Sequence, residues 1–102
     1  MRNKYKKTAL PIFEKDLKEI LDYIAFTFEN PTAAIQLLDE IEDAVNKRLL
    51  NPLAFQKYYP KGLEIPYYSI YVKNYVIYYV VNDDEMELRR MLYNRRDRDN
   101  LI

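Results

Sequence analysis

The chain has 102 residues, 49% apolar and 31% charged, with 16 basic and 16 acidic side chains that cancel; one folded domain over 1–102 is expected, not one held to nucleic acid by bulk charge. It has no Cys and no His, which excludes disulfides, thiol nucleophiles, the usual zinc sites and every His-based relay. Gly62 is the only glycine, so no Gly-rich loop cradles a phosphate, and no cofactor or metal is expected. Any catalysis falls to carboxylates, Lys, Arg, Tyr, Ser or Thr. The longest apolar run, Tyr75 to Val81, is far short of a membrane span, so a soluble cytoplasmic protein with no membrane partner is expected.

Residues 2–10, with their lysines, suit an edge strand protected from stray pairing. Over 12–28, Phe13, Leu17, Ile20, Leu21, Ile24 and Phe28 fall on one stripe of a 3.6-residue period, predicting a helix opened by Pro11. Asn30-Pro31 stops it and starts a second helix over about 31–50, with Asn30 as N-cap and an apolar stripe of Ala34, Leu37, Leu38, Ile41, Val45 and Leu49. Pro52, Pro60, Gly62 and Pro66 then punctuate a loop. Beyond it YYSIYV (67–72), YVIYYVV (75–81) and MELRRMLY (86–93) predict three strands joined by short polar turns. The middle one has no wet face and belongs at the centre of a covered sheet. The fold class expected is α+β, in the order β-α-α-β-β-β, with a helical hairpin packed on a small antiparallel sheet.

The last strand resists a simple reading. Its even face is Met86, Leu88, Arg90, Leu92 and its odd face Glu87, Arg89, Met91, Tyr93, so each mixes an arginine with large apolar groups. Either a bulge near Arg89-Arg90, or an arginine paired with Glu64 or Glu87, resolves the conflict, or the arginines project toward a polar target.

Charge is segregated. Residues 1–11 carry four basic and no acidic residues, and residues 12–50 four basic and nine acidic. Eleven tyrosines are present, nine of them from Tyr58 to Tyr93. They read either as sheet filler with a polar tip or as a stacking surface flanked by Lys57, Lys61, Lys73 and the late arginines. The acidic run Asp39, Glu40, Glu42, Asp43 reads as a wet helix face, since hard cations need converging oxygens. In the tail, Tyr93 beside arginines is a candidate proton acceptor and Arg95 a candidate phosphate clamp; the alternative is a solvated charge run. Arg89, Arg90, Arg96 and Arg98 are candidate target-binding residues.

The segments DLKEILDYI (16–24), NPTAA (30–34), NP (51–52), VKNYVIYYVV (72–81) and LYNRRD (92–97) resemble, in their order and spacing, the RelE/ParE superfamily. Its members are toxins of type II toxin–antitoxin pairs, some of them known as plasmid stabilisation proteins. The resemblance covers nearly the whole chain. It implies a cognate antitoxin covering the toxin, in a toxin–antitoxin heterotetramer or beside a homodimer. It also implies one of two targets: DNA gyrase for ParE-like members, which bind without chemistry, or ribosome and mRNA for RelE-like endonucleases. Val76 stands after Tyr75 where many ribonuclease members carry Arg. Ser69 and Tyr71 stand where RelE-like members carry basic residues. Arg95 falls where a late catalytic arginine is expected, and Tyr93 matches the tyrosine of a His-Tyr ending. The resemblance therefore leans toward ParE-like growth inhibition, with a metal-independent endoribonuclease and a non-toxic antitoxin-binding remnant as the alternatives.

Overall fold

A computed structural model describes residues 4–94. The elements are β1 (Lys6–Ala9), α1 (Pro11–Asp22), a π-helical turn (Tyr23–Thr27), α2 (Pro31–Leu49), β2 (Tyr68–Val72), β3 (Tyr75–Asn82) and β4 (Glu85–Tyr93). The class is the expected α+β.

Proline opens both helices, where its missing N–H costs nothing. Asn30 caps α2, its side chain accepting from the Ala33 N–H at 3.1 Å. Between the helices Glu29 takes φ of 51°, a left-handed kink that reverses the chain. Lys73 and Asp83 do the same at φ of 52° and 51°, so each sits in a two-residue turn of the kind that matches strand twist. In the long loop, Gly62 at φ of 84° closes a turn in which the Leu63 N–H bonds the Pro60 carbonyl at 3.0 Å.

The sheet order is β1-β4-β3-β2. β2, β3 and β4 form the expected antiparallel meander, but β1 pairs with β4 in parallel, so the sheet is mixed. The first and third strands of a meander run alike, and the helical hairpin starts that meander in the direction of β1. Pairing β1 beside the last strand then gives a parallel edge.

The helices cover one face of the sheet. Phe13, Leu37, Ile41, Val45 and Leu49 pack there on Tyr68, Ile70, Val72, Ile77, Tyr79, Met86, Leu88 and Met91. The opposite face carries a smaller cluster of Tyr67, Val76, Tyr78, Val80 and Leu92, with Tyr58 packed against it. Tyr58 is held there by reciprocal backbone bonds with Tyr67, at 2.8 and 2.6 Å. β3 is therefore covered on both sides, as its unbroken apolar pattern requires.

Phe28 departs from its expected place on the buried stripe of the first helix: it is 65% exposed. The π turn is the reason. An extra residue per turn rotates everything after it, so the ring that continues an α-helical stripe on paper swings outward.

A bulge accounts for the mixed faces of β4. Tyr78 pairs with Arg90 and Tyr79 with Leu88, leaving Arg89 unmatched. Ahead of the bulge the even residues Met86 and Leu88 face the helices; after it the odd residue Met91 does, while Leu92 joins the opposite face.

Candidate functional site

An open groove of about 840 Å³ runs between α1 with its π turn and the adjoining ends of β3 and β4. Its helical wall is Asp16, Glu19, Ile20, Tyr23 and Phe28; its strand wall is Asn74, Tyr75 and residues 90–93. The π turn supplies the aromatic part of the first wall, setting Tyr23 against Phe28 edge to face at 4.9 Å between ring centroids. Opposite, Tyr75 and Tyr93 meet edge to face at 5.9 Å. These rings come from the start of β3 and the end of β4, which the antiparallel register places side by side. The Asn94 N–H bonds the Asn74 carbonyl at 2.8 Å and extends that pairing by one step.

The charge in the groove is mostly self-contained. Arg90 grips Asp16 with two prongs, Nε to Oδ2 at 2.7 Å and Nη2 to Oδ1 at 3.1 Å. Asp16 Oδ2 also accepts the Met91 N–H at 3.1 Å. Both side chains are largely buried, so this pair fastens α1 to β4. Glu19 is exposed, with Lys15 at 4.0 Å on the outer helix surface. Burial, reinforced by Tyr93 and Tyr23 nearby, pushes the Tyr75 hydroxyl above its ordinary value near 10. Tyr75 therefore keeps its proton at neutral pH.

Of the residues singled out in the sequence, the groove brings together Tyr93 and Arg90. Tyr93 is 41% exposed. Lys73 sits on the adjoining β2–β3 turn and pairs with Glu40 of α2 at 3.5 Å. Arg89, the bulged residue, bonds Glu87 at 2.7 Å and lies over the Tyr67 ring, away from the groove. Lys57 and Lys61 are exposed on the loop before β2. Arg95, Arg96 and Arg98 lie outside the described residues. Among the described residues no group of His, Cys, Asp or Glu converges as a metal site, and no helix is long and apolar enough to cross a membrane.

Asp16, Glu19, Tyr23 and Tyr75 also line the groove, although none of them is singled out as a site residue in the sequence. The one usable signal is the acidic character of Asp16 and Glu19 on α1 and the aromatic character of Tyr23 in the π turn and Tyr75 at the start of β3. Arg48 is a second unannounced feature. Its Nη1 donates to the Ser69 carbonyl at 2.9 Å and to the Tyr79 hydroxyl at 3.1 Å, and its guanidinium lies 3.5 Å from the Phe55 ring centroid. The Tyr79 hydroxyl donates onward to the Pro52 carbonyl at 2.8 Å. This network ties the loop after α2 to the sheet.

Residues 10–98 match the family described as the ParE toxin of type II toxin–antitoxin systems, parDE. The chain belongs to the ParE toxin family. Its fold is similar to a chromosomal ParDE toxin–antitoxin system from P. aeruginosa, with a TM-score of 0.69 at 14% identity over 90% of this chain and 98% of the other. It is similar also to an archaeal RelE–RelB complex from Pyrococcus horikoshii, with a TM-score of 0.56 at 17% identity over 92% and 99%. A conserved hypothetical protein of Helicobacter pylori aligns at a TM-score of 0.52 and 26% identity over 87% and 93%. No curated protein matches the chain. In this ParE-family toxin the groove combines four aromatic rings with an arginine that already has a carboxylate partner.

Proposed function

We propose that this ParE-family toxin arrests growth by binding its target, with DNA gyrase as the target, and that a cognate antitoxin neutralises it. The observation that carries the binding reading is the Asp16–Arg90 pair. The groove's one cation among the described residues is committed to a carboxylate, and a phosphate entering there would have to strip Arg90 from a largely buried partner. Exposed aromatic rings around a fixed ion pair are the composition of a protein-binding hot spot. The antitoxin proposal rests on family membership and on the toxin–antitoxin complexes that share the fold.

The test is supercoiling by purified gyrase with increasing toxin, alongside growth after induction. Inhibition at stoichiometric or micromolar toxin is expected, together with arrested DNA synthesis. Unaffected supercoiling with new mRNA ends in a translating extract would overturn the gyrase reading in favour of the endonuclease, for which Tyr93 at the groove mouth and Arg95 are the proposed proton acceptor and phosphate clamp.

A further inference from the structure

We infer that the groove between α1 and the β3–β4 ends receives a cationic side chain, an arginine or lysine flanked by aliphatic residues, presented by an extended or helical segment of a partner protein. The inference rests on the protein-binding reading above and names the chemistry of that partner. Two aromatic pairs, Tyr23 with Phe28 and Tyr75 with Tyr93, line its two walls. Tyr23, Phe28 and Tyr93 are exposed, and ring faces attract cations through their quadrupole. The formal charges add to this. Asp16 cancels Arg90, and Glu19 leaves the lining, among the described residues, one negative charge in excess. Among the described residues Lys15 stands 4.0 Å from Glu19 with its side chain largely in solvent, a spacing worth little in water, and Lys18 beside it is paired with Asp22. Aliphatic neighbours of the incoming cation would rest on Ile20 and Met91. An acidic segment meets Glu19 and Asp16 and gains nothing from the ring faces.

The probes are three acetylated octapeptides of alternating leucine with arginine, glutamine or glutamate, titrated into the purified toxin while the ring resonances of Tyr23, Phe28, Tyr75 and Tyr93 are followed by NMR. The arginine peptide should shift all four rings, more weakly as salt rises. The glutamine peptide should bind at least about threefold less tightly, the scale of a partly solvated cation–π contact, and the glutamate peptide less tightly again. Tyr23→Ala and Glu19→Gln, both at exposed positions, should each weaken the arginine peptide severalfold with the amide spectrum otherwise unchanged. Rings that do not respond to the arginine peptide, or tighter binding of the glutamate peptide, overturn the inference. Ring shifts with unaffected gyrase support it and overturn the gyrase target alone. Gyrase inhibition with unresponsive rings does the reverse.

Discussion

Arg90 and Asp16, 74 residues apart in the chain, meet in a two-pronged ion pair at 2.7 and 3.1 Å that joins the two walls of the groove. The same carboxylate takes the Met91 N–H, so one side chain on α1 satisfies three donors of β4. Asp16→Ala takes this carboxylate away from a largely buried guanidinium and from a backbone N–H. It should cost about 2–4 kcal/mol in urea unfolding. The double variant Asp16→Leu/Arg90→Met should be less destabilised than Asp16→Ala alone, because the guanidinium is removed together with this carboxylate and apolar groups fill the space.

The Arg48 network gives a second stability test. Arg48→Ala removes bonds to Ser69 and Tyr79 and the stack on Phe55, and should cost about 1–3 kcal/mol. Arg48→Lys keeps the charge and loses the planar face, so it should recover less than half of that loss. Limited proteolysis within 53–65 should speed up in both variants.

Alkaline stability follows from Tyr75 and Tyr79. Burial raises both hydroxyls above their ordinary value near 10, and at Tyr79 the neighbouring Arg48 opposes the shift only in part. A raised phenol pKa means that the folded chain holds its proton to higher pH than the unfolded chain does. The stabilisation is then complete below pH 10 and is lost as pH rises through the folded values. Unfolding midpoints measured from pH 8 to 11.5 should fall above pH 10, and Tyr75→Phe should make that fall shallower.

Asn30→Ala should cost about 1 kcal/mol by removing the cap of α2, and Asn30→Asp should be near neutral. Thermal melts distinguish the two, since neither residue touches the groove walls.

Tyr93 separates binding from chemistry. If the groove only binds, Tyr93→Phe should still arrest growth on induction and Tyr93→Ala should weaken arrest several-fold, as expected for an aromatic anchor. If Tyr93 carries a proton, the Phe variant is the inactive one.

Much of the fold was readable wherever a local pattern decides. The Phe13 and Leu37–Leu49 stripes, the Asn30 cap and the two-sided apolar run of β3 each state their own environment. Reading failed where the deciding partner is remote or the period breaks. At β4 the mixed faces offer a bulge near Arg89-Arg90 as one alternative, but no propensity tells which alternative holds, and there Arg89 reverses the strand's phase. The π turn does the same to Phe28. Asp16 looks like any polar residue on a helix until β4 arrives against it. The groove inherits these difficulties: its walls belong to segments some 50 residues apart, and only the end of β4 was marked in advance.

The paired tyrosines Tyr58 and Tyr67 have a consequence for how this toxin engages anything large. They sheathe the sheet's second side, which removes the broad flat platform a bare sheet would offer. Among the described residues the lateral groove is a concave feature that stays accessible, and a concave site suits a narrow visitor. On the protein-binding proposal, a slender segment of a partner would reach further into it than the smooth side of a globular one.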